Sequence, residues 1–185
     1  MMIWDLPTSV EIDGKIINIR EKCDYRVVLD VISVLNDNEL DDESKIKCSL
    51  FIFYDNNEEI NNIQTAIDEM MKIINLGEIN QENDEDKPKM MDWEHDFKNL
   101  APPVSRVLGY SVRDKNNYTH WYDFIGAYVE IGDCYFSQII NIRQKLYKGK
   151  KLDKTDLEFY KSHKKDINLP NELSQDDKDW LDSDW

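Results

Sequence analysis

A chain of 185 residues with 41% hydrophobic and 11% aromatic side chains is long enough for one domain with a real core, or two small ones, and too apolar to be disordered. Its formal charge of −15 and pI near 4.5 exclude a surface that grips nucleic acid or anionic lipid by charge; basic or apolar protein surfaces, metal ions, or imitation of nucleic acid remain. Three cysteines (Cys23, Cys48, Cys134) cannot all pair, no run reaches the ~20 apolar residues of a membrane span, and Met1 to Pro7 lacks a secretion signal, so a reducing cytosol is the expected compartment.

Ser9 to Ile19 reads SVEIDGKIINI, with apolar residues alternating on either side of Asp13-Gly14, the dipeptide that accepts positive φ at both positions of a type I′ turn. A hairpin is predicted, with Val10 and Ile12 on one face and Ile17 and Ile19 likewise, ready to lie on a helical layer. Asp24 to Leu35 carries Val27, Val28, Val31, Ile32 and Leu35 at helical steps; the β-branched residues leave strand as the competing reading. After Asn36-Asp37-Asn38 a second helix is expected near Asp41-Asp42-Glu43, whose acids suit the positive end of the dipole, with Ile46, Leu50, Phe51, Phe53 and Tyr54 along it. The third, Glu58 to Asn75, places Ile60, Ile63, Ile67, Met70, Met71 and Ile74 on one side and stops at Gly77. Its methionine pair reads first as core and second as a flexible partner-binding groove.

Residues 78–96 are acidic, with almost no large apolar residue before Met90, and read as a linker; Asp92, Glu94 and Asp96 are taken as solvated carboxylates. Apolar periodicity resumes from Phe97 to Gly109 through Leu100, Val104, Val107 and Leu108, with Pro102 and Pro103 tolerable only near a first turn. The densest aromatic stretch, Tyr118 to Leu146, predicts two antiparallel helices. Trp121, Phe124, Ile125, Tyr128 and Val129 form one stripe; Gly132 ends that helix; Asp133 can cap the next, where Phe136, Ile139, Ile140 and Arg143 share a face. Lys148 to Lys151 is a basic cluster, solvated by default, followed by a short helix from Asp153 or Thr155 through Leu157, Phe159, Tyr160 and His163. Residues 170–185 form an acidic tail with Leu173, Trp180, Leu181 and Trp185; such a tail is frayed or docks into a groove.

The predicted architecture is therefore mainly α, six to seven helices with a short amino-terminal β-hairpin: 1–77 as hairpin plus three helices, 78–96 as acidic linker, 97–169 as a second helical part, 170–185 as tail. Nothing nominates a catalytic pair. His95, His120 and His163 lie in separate elements without ligand spacing, so no zinc site is expected; no phosphate-binding loop occurs among only six glycines, so no cofactor is expected and the chain is read as non-enzymatic.

The order of these elements resembles the gene-product-fifteen family of bacteriophage proteins, from long-tailed phages and prophages of Gram-positive bacteria. The similarity lies in LPTSVEIDGKIINI at Leu6 to Ile19, DDESKIKCSLFIFY at Asp41 to Tyr54, the helix ending at Gly77, and above all HWYDFIGAY at His120 to Tyr128 leading into FSQIINIRQ at Phe136 to Gln144. Pro102-Pro103 and the tryptophan-bearing tail depart from the pattern. The resemblance implies a tail assembly chaperone in the cytoplasm of the bacterial host, binding the tape measure protein and keeping it soluble until tail-tube subunits displace it; further partners would be itself and the tail-tube protein. Partner-binding candidates are Met70, Met71, Trp121, Phe124, Tyr128, Tyr135, Trp180 and Trp185. The rival reading is an acidic mimic of nucleic acid that blocks a basic host DNA-binding protein, against which stands the concentration of acids in linker and tail.

Overall fold

The structure, a computed structural model, describes residues 5–77 and 89–169. Among these residues it is mainly helical, with seven α-helices and one two-stranded antiparallel hairpin. They divide into two compact units, one of residues 5–77 with Val112–Val129, the other of residues 89–111 and 130–169.

In the first unit β1 (Ser9–Ile12) and β2 (Lys15–Asn18) pair with Val10 opposite Ile17 and Ile12 opposite Lys15. Asp13 and Gly14 both have positive φ, as a type I′ turn requires, and Val10, Ile12, Ile17 and Ile19 are buried as the alternation predicts. A feature with no sequence signal follows. Glu21, Lys22 and Cys23 are three consecutive left-handed residues (φ 48°, 54° and 64°), a conformation that costs ~1–2 kcal/mol each for side chains with a Cβ. The turn is held from the other part of the unit: the Tyr118 hydroxyl donates to the Lys22 carbonyl at 2.8 Å, and the Trp121 N–H donates to the Cys23 carbonyl at 2.9 Å.

Helix α1 (Tyr25–Asn36) settles the helix-or-strand question at this segment in favour of helix, and Asp24 caps it by accepting from the Arg26 N–H. Helix α2 (Asp42–Phe53) is capped by Asp41. Helix α3 (Ile63–Ile74) starts later than expected, because Asn57–Glu59 closes a separate 3-10 turn and Asn62 supplies the cap. Its buried line is Ala66, Met70 and Ile73, so the expected stripe is rotated and Ile63 faces outward. The small Ala66 explains the rotation: it lets Tyr54 approach until its hydroxyl donates to the Ala66 carbonyl at 2.8 Å. Helix α5 (Trp121–Val129) packs on α1, with the Phe124 ring stacked on Tyr25 at 4.2 Å and 3° between planes.

The second unit is built from α4 (Trp93–Leu108), α6 (Tyr135–Tyr147) and α7 (Lys154–Ile167). Helix α4 begins four residues before the predicted start. Asp92 caps it through the His95 N–H, so Trp93 to Asp96 are helical rather than linker, and residues 78–88 of that linker lie outside the described residues. Pro102 and Pro103 sit well inside the helix, where each removes an N–H from the ladder; burial of Leu100, Ala101, Pro103 and Val104 holds the segment helical. The expected helical hairpin of Tyr118 to Leu146 is also corrected: α5 finds its packing in the first unit, whereas α6 packs on α4 and α7. Gly132 takes the left-handed position as predicted, yet the cap of α6 is Cys134, whose sulfur accepts from the Ser137 N–H, not Asp133.

Candidate functional site

Among the described residues no group of three or more His, Cys, Asp or Glu side chains stands together to hold a metal ion, and no helix is long and apolar enough to cross a membrane. The buried His120 is occupied at both ring nitrogens: Nδ1 accepts from the Tyr122 N–H at 3.0 Å, which makes Nε2 the donor to the Pro7 carbonyl at 3.0 Å. This imidazole ties the chain ahead of β1 to the start of α5, a structural task. Burial pushes the Cys23 thiol up to about 12, so it is not a reactive thiolate.

The sequence-nominated contact residues separate into three groups. Met70, Trp121 and Phe124 are core residues with 3% exposure or less and present no surface. The Trp121 indole N–H is itself taken by the Ile74 carbonyl at 3.0 Å. Met71 and Tyr128 are half-buried, and Tyr135 is partly exposed with its hydroxyl donating to Asp166 at 2.7 Å. Trp180 and Trp185 lie outside the described residues.

In the first unit the large apolar side chains with more than half of their surface exposed are Ile16 (75%), Val129 (70%), Phe51 (61%) and Ile63 (54%), and three of these four lie on the hairpin or on elements that touch it. Strand alternation puts Ile16 and Asn18 on the outer side of β2, opposite the buried Ile17, and Arg20 follows in the 3-10 turn just past the strand. Arg20 carries this face onto α2: its guanidinium donates to the Phe51, Ile52 and Tyr54 carbonyls and lies 5.6 Å from the centre of the Phe51 ring. At the turn, the Asn62 amide donates to Asp13 at 3.3 Å, which brings the first residue of α3, Ile63, to the same end of the hairpin. Three large apolar side chains from three elements thus stand outside the core of an acidic chain. The sequence places Ile63 on the apolar side of its helix and Phe51 among the apolar residues of the second helix, without marking either as exposed.

The second unit is organised around a buried ion pair. Arg143 makes a bidentate contact with Asp96 at 2.6 and 2.8 Å and spends its remaining donors on the Met90, Asp166 and Ile167 carbonyls. Asp96 is fully buried, the reverse of the solvated carboxylate that its acidic neighbourhood suggests. Near it, Lys98 at 2.5 Å and the Tyr135 hydroxyl hold the Asp166 carboxyl down at about 2. A carboxylate with a folded value below its unfolded ~3.9 stabilises the fold above that pH and loses the contribution as pH falls toward 2. The stability gap between the protein and an Asp166→Asn variant, followed by thermal unfolding, is therefore expected to be constant above about pH 5 and to shrink between about pH 4 and 2.

No curated protein and no solved structure matches this chain. A family model described as Bacteriophage Gp15 protein matches residues 2–169, which takes in the hairpin, all seven helices and the Asp96–Arg143 pair. With that match running over nearly its whole length, the chain belongs to the bacteriophage Gp15 protein family.

Proposed function

We propose that this phage protein is a non-enzymatic tail assembly chaperone that binds the tape measure protein in the host cytoplasm and keeps it soluble until the tail tube polymerises. The observation that carries the reading is the family membership over residues 2–169, together with exposed Ile16, Phe51 and Ile63 on a chain of charge −15. A long helical partner with an apolar stripe aggregates unless the stripe is covered. A chaperone that covers it needs apolar contact area on one side and like charge on the other, which keeps loaded complexes apart. Release requires many modest contacts rather than a few tight ones, and three separate apolar side chains suit that better than one deep pocket.

Co-expression with the tape measure protein, followed by light-scattering mass in low and high salt, tests the proposal. The expected result is a soluble complex with several copies of this chain that persists at about 1 M salt, where charge–charge attraction is screened beyond about 3 Å. An insoluble tape measure and a free chain would overturn it. A salt-sensitive complex with a basic host protein would instead favour mimicry of nucleic acid.

A further inference from the structure

The exposed side chains Ile16, Phe51 and Ile63 stand inside a border of acids. Glu11 lies directly opposite Ile16 in the β1–β2 register, which makes the two neighbours on the outer face of the hairpin with Cβ atoms ~5 Å apart. Asp13 marks the turn, where it accepts from the Asn62 amide. Residues 55–62 run beside β2, tied at one end by the Asp55 N–H donating to the Asn18 carbonyl at 3.1 Å and at the other by Asn62 on Asp13. They bring Asp55 and, in the 3-10 turn, Glu58 and Glu59. All five carboxylates are exposed, and none forms an ion pair with a lysine or arginine among the described residues.

Bases are few here and mostly engaged. Lys15 is the one lysine of the hairpin; Arg20 spends Nε and Nη2 on the Phe51, Ile52 and Tyr54 carbonyls; Lys47, one turn before Phe51 on α2, is paired with Glu43 at 2.5 Å. Five acids against Lys15 and Arg20 leave the border at −3. Like charges gathered round an apolar face repel one another while it is bare and attract a partner of opposite sign. We infer that this face selects a helical segment whose apolar stripe is flanked by lysine or arginine. The inference rests on the chaperone reading for the place of contact and the helical form of the partner, and adds the partner's charge. Residues three and four apart share one side of a helix, so anchors at i, i+4 and i+7 cover the exposed apolar side chains while lysines beside them reach the bordering acids. Charge at such a rim speeds encounter and rejects acidic segments, and apolar contact at its centre holds the complex in high salt.

The test titrates the 15N-labelled full chain with three synthetic peptides of about 20 residues, long enough to hold a helix. One has a leucine stripe flanked by lysines, the second has glutamate for each lysine, and the third keeps the lysines but has serine for each leucine. The lysine–leucine peptide is expected to shift the amides of Ile16 to Arg20, the last turn of α2 and the first turn of α3, and to bind at least about tenfold more tightly than the glutamate peptide. Glu11→Gln/Asp13→Asn/Asp55→Asn/Glu58→Gln/Glu59→Gln should weaken its binding roughly tenfold, whereas Asp37→Asn/Glu39→Gln/Asp42→Asn/Glu43→Gln/Asp114→Asn, which removes the same charge elsewhere, should change it less than about twofold. Equal binding of the lysine and glutamate peptides, equal losses in the two variants, or shifts at the face from the serine peptide would each overturn the inference. Tape measure protein that stays insoluble while the lysine–leucine peptide binds the face refutes the chaperone reading alone; a soluble complex with equal binding of the two charged peptides refutes only the charge preference.

Discussion

Arg143→Ala is expected to destabilise the second unit by about 3–5 kcal/mol, the largest loss expected from any single polar side chain among the described residues. The reason is what the substitution leaves behind. The Asp96 carboxylate, fully buried, would keep only the Asp92 N–H at 3.0 Å, and the Met90, Asp166 and Ile167 carbonyls would each lose a donor. Asp96→Ala should cost less, since the guanidinium retains those three carbonyl acceptors. The double replacement Asp96→Leu/Arg143→Met removes both charges, which in a dry core is often neutral or better; here the abandoned carbonyls limit the recovery to a part of the loss. Urea unfolding followed by amide exchange in α4, α6 and α7 reads the effect. A loss under about 1 kcal/mol for Arg143→Ala would mean that the pair is hydrated and not the centre of the unit.

The second large effect concerns binding. Ile16→Thr/Phe51→Gln/Ile63→Gln replaces the three exposed apolar side chains with residues suited to a strand and to two helices, so the fold should stay within about 1.5 kcal/mol of the parent protein. Burying each original side chain against an apolar partner is worth roughly 1.5–3 kcal/mol. Losing all three should weaken the complex with the tape measure protein by at least about a thousandfold. If the proposed function holds, co-expression would then yield insoluble tape measure protein beside the soluble, folded variant. An unchanged complex would place the contact elsewhere and leave the hairpin face without a part in binding.

Local chemistry was readable where the determinant sits within a few residues. Asp13-Gly14 specifies its turn because positive φ at two successive positions admits few residue pairs, and Asp24, Asp41 and Asp153 cap helices next to the periodic runs they begin. Periodicity tells which face of a helix is buried but not what covers it, so α5 and α6 were paired with each other while their packing lies with α1 on one side and α4 and α7 on the other. The Asp96–Arg143 pair spans 47 residues, and an aspartate inside a run of acids carries no mark of burial; Arg143 on the apolar side of α6 was the half of the signal that was present. Phe51 and Ile63 illustrate the converse limit, since hydrophobic residues are found inside more often than outside and only the folded chain distinguishes a core phenylalanine such as Phe53 from an exposed one such as Phe51. The left-handed run Glu21-Lys22-Cys23 is imposed by Tyr118 and Trp121, almost a hundred residues downstream, so no local pattern announces it.

The central claim, that the outer face of the hairpin and its neighbours on α2 and α3 receive the tape measure protein, is tested most directly by amide hydrogen exchange of the chain alone and in the co-expressed complex. Slowed exchange confined to Ile16 to Arg20, the carboxy-terminal turns of α2 and the first turn of α3 is the predicted footprint. Unchanged exchange there, with new protection on α4, α6 or α7, would contradict it and move the binding surface to the second unit.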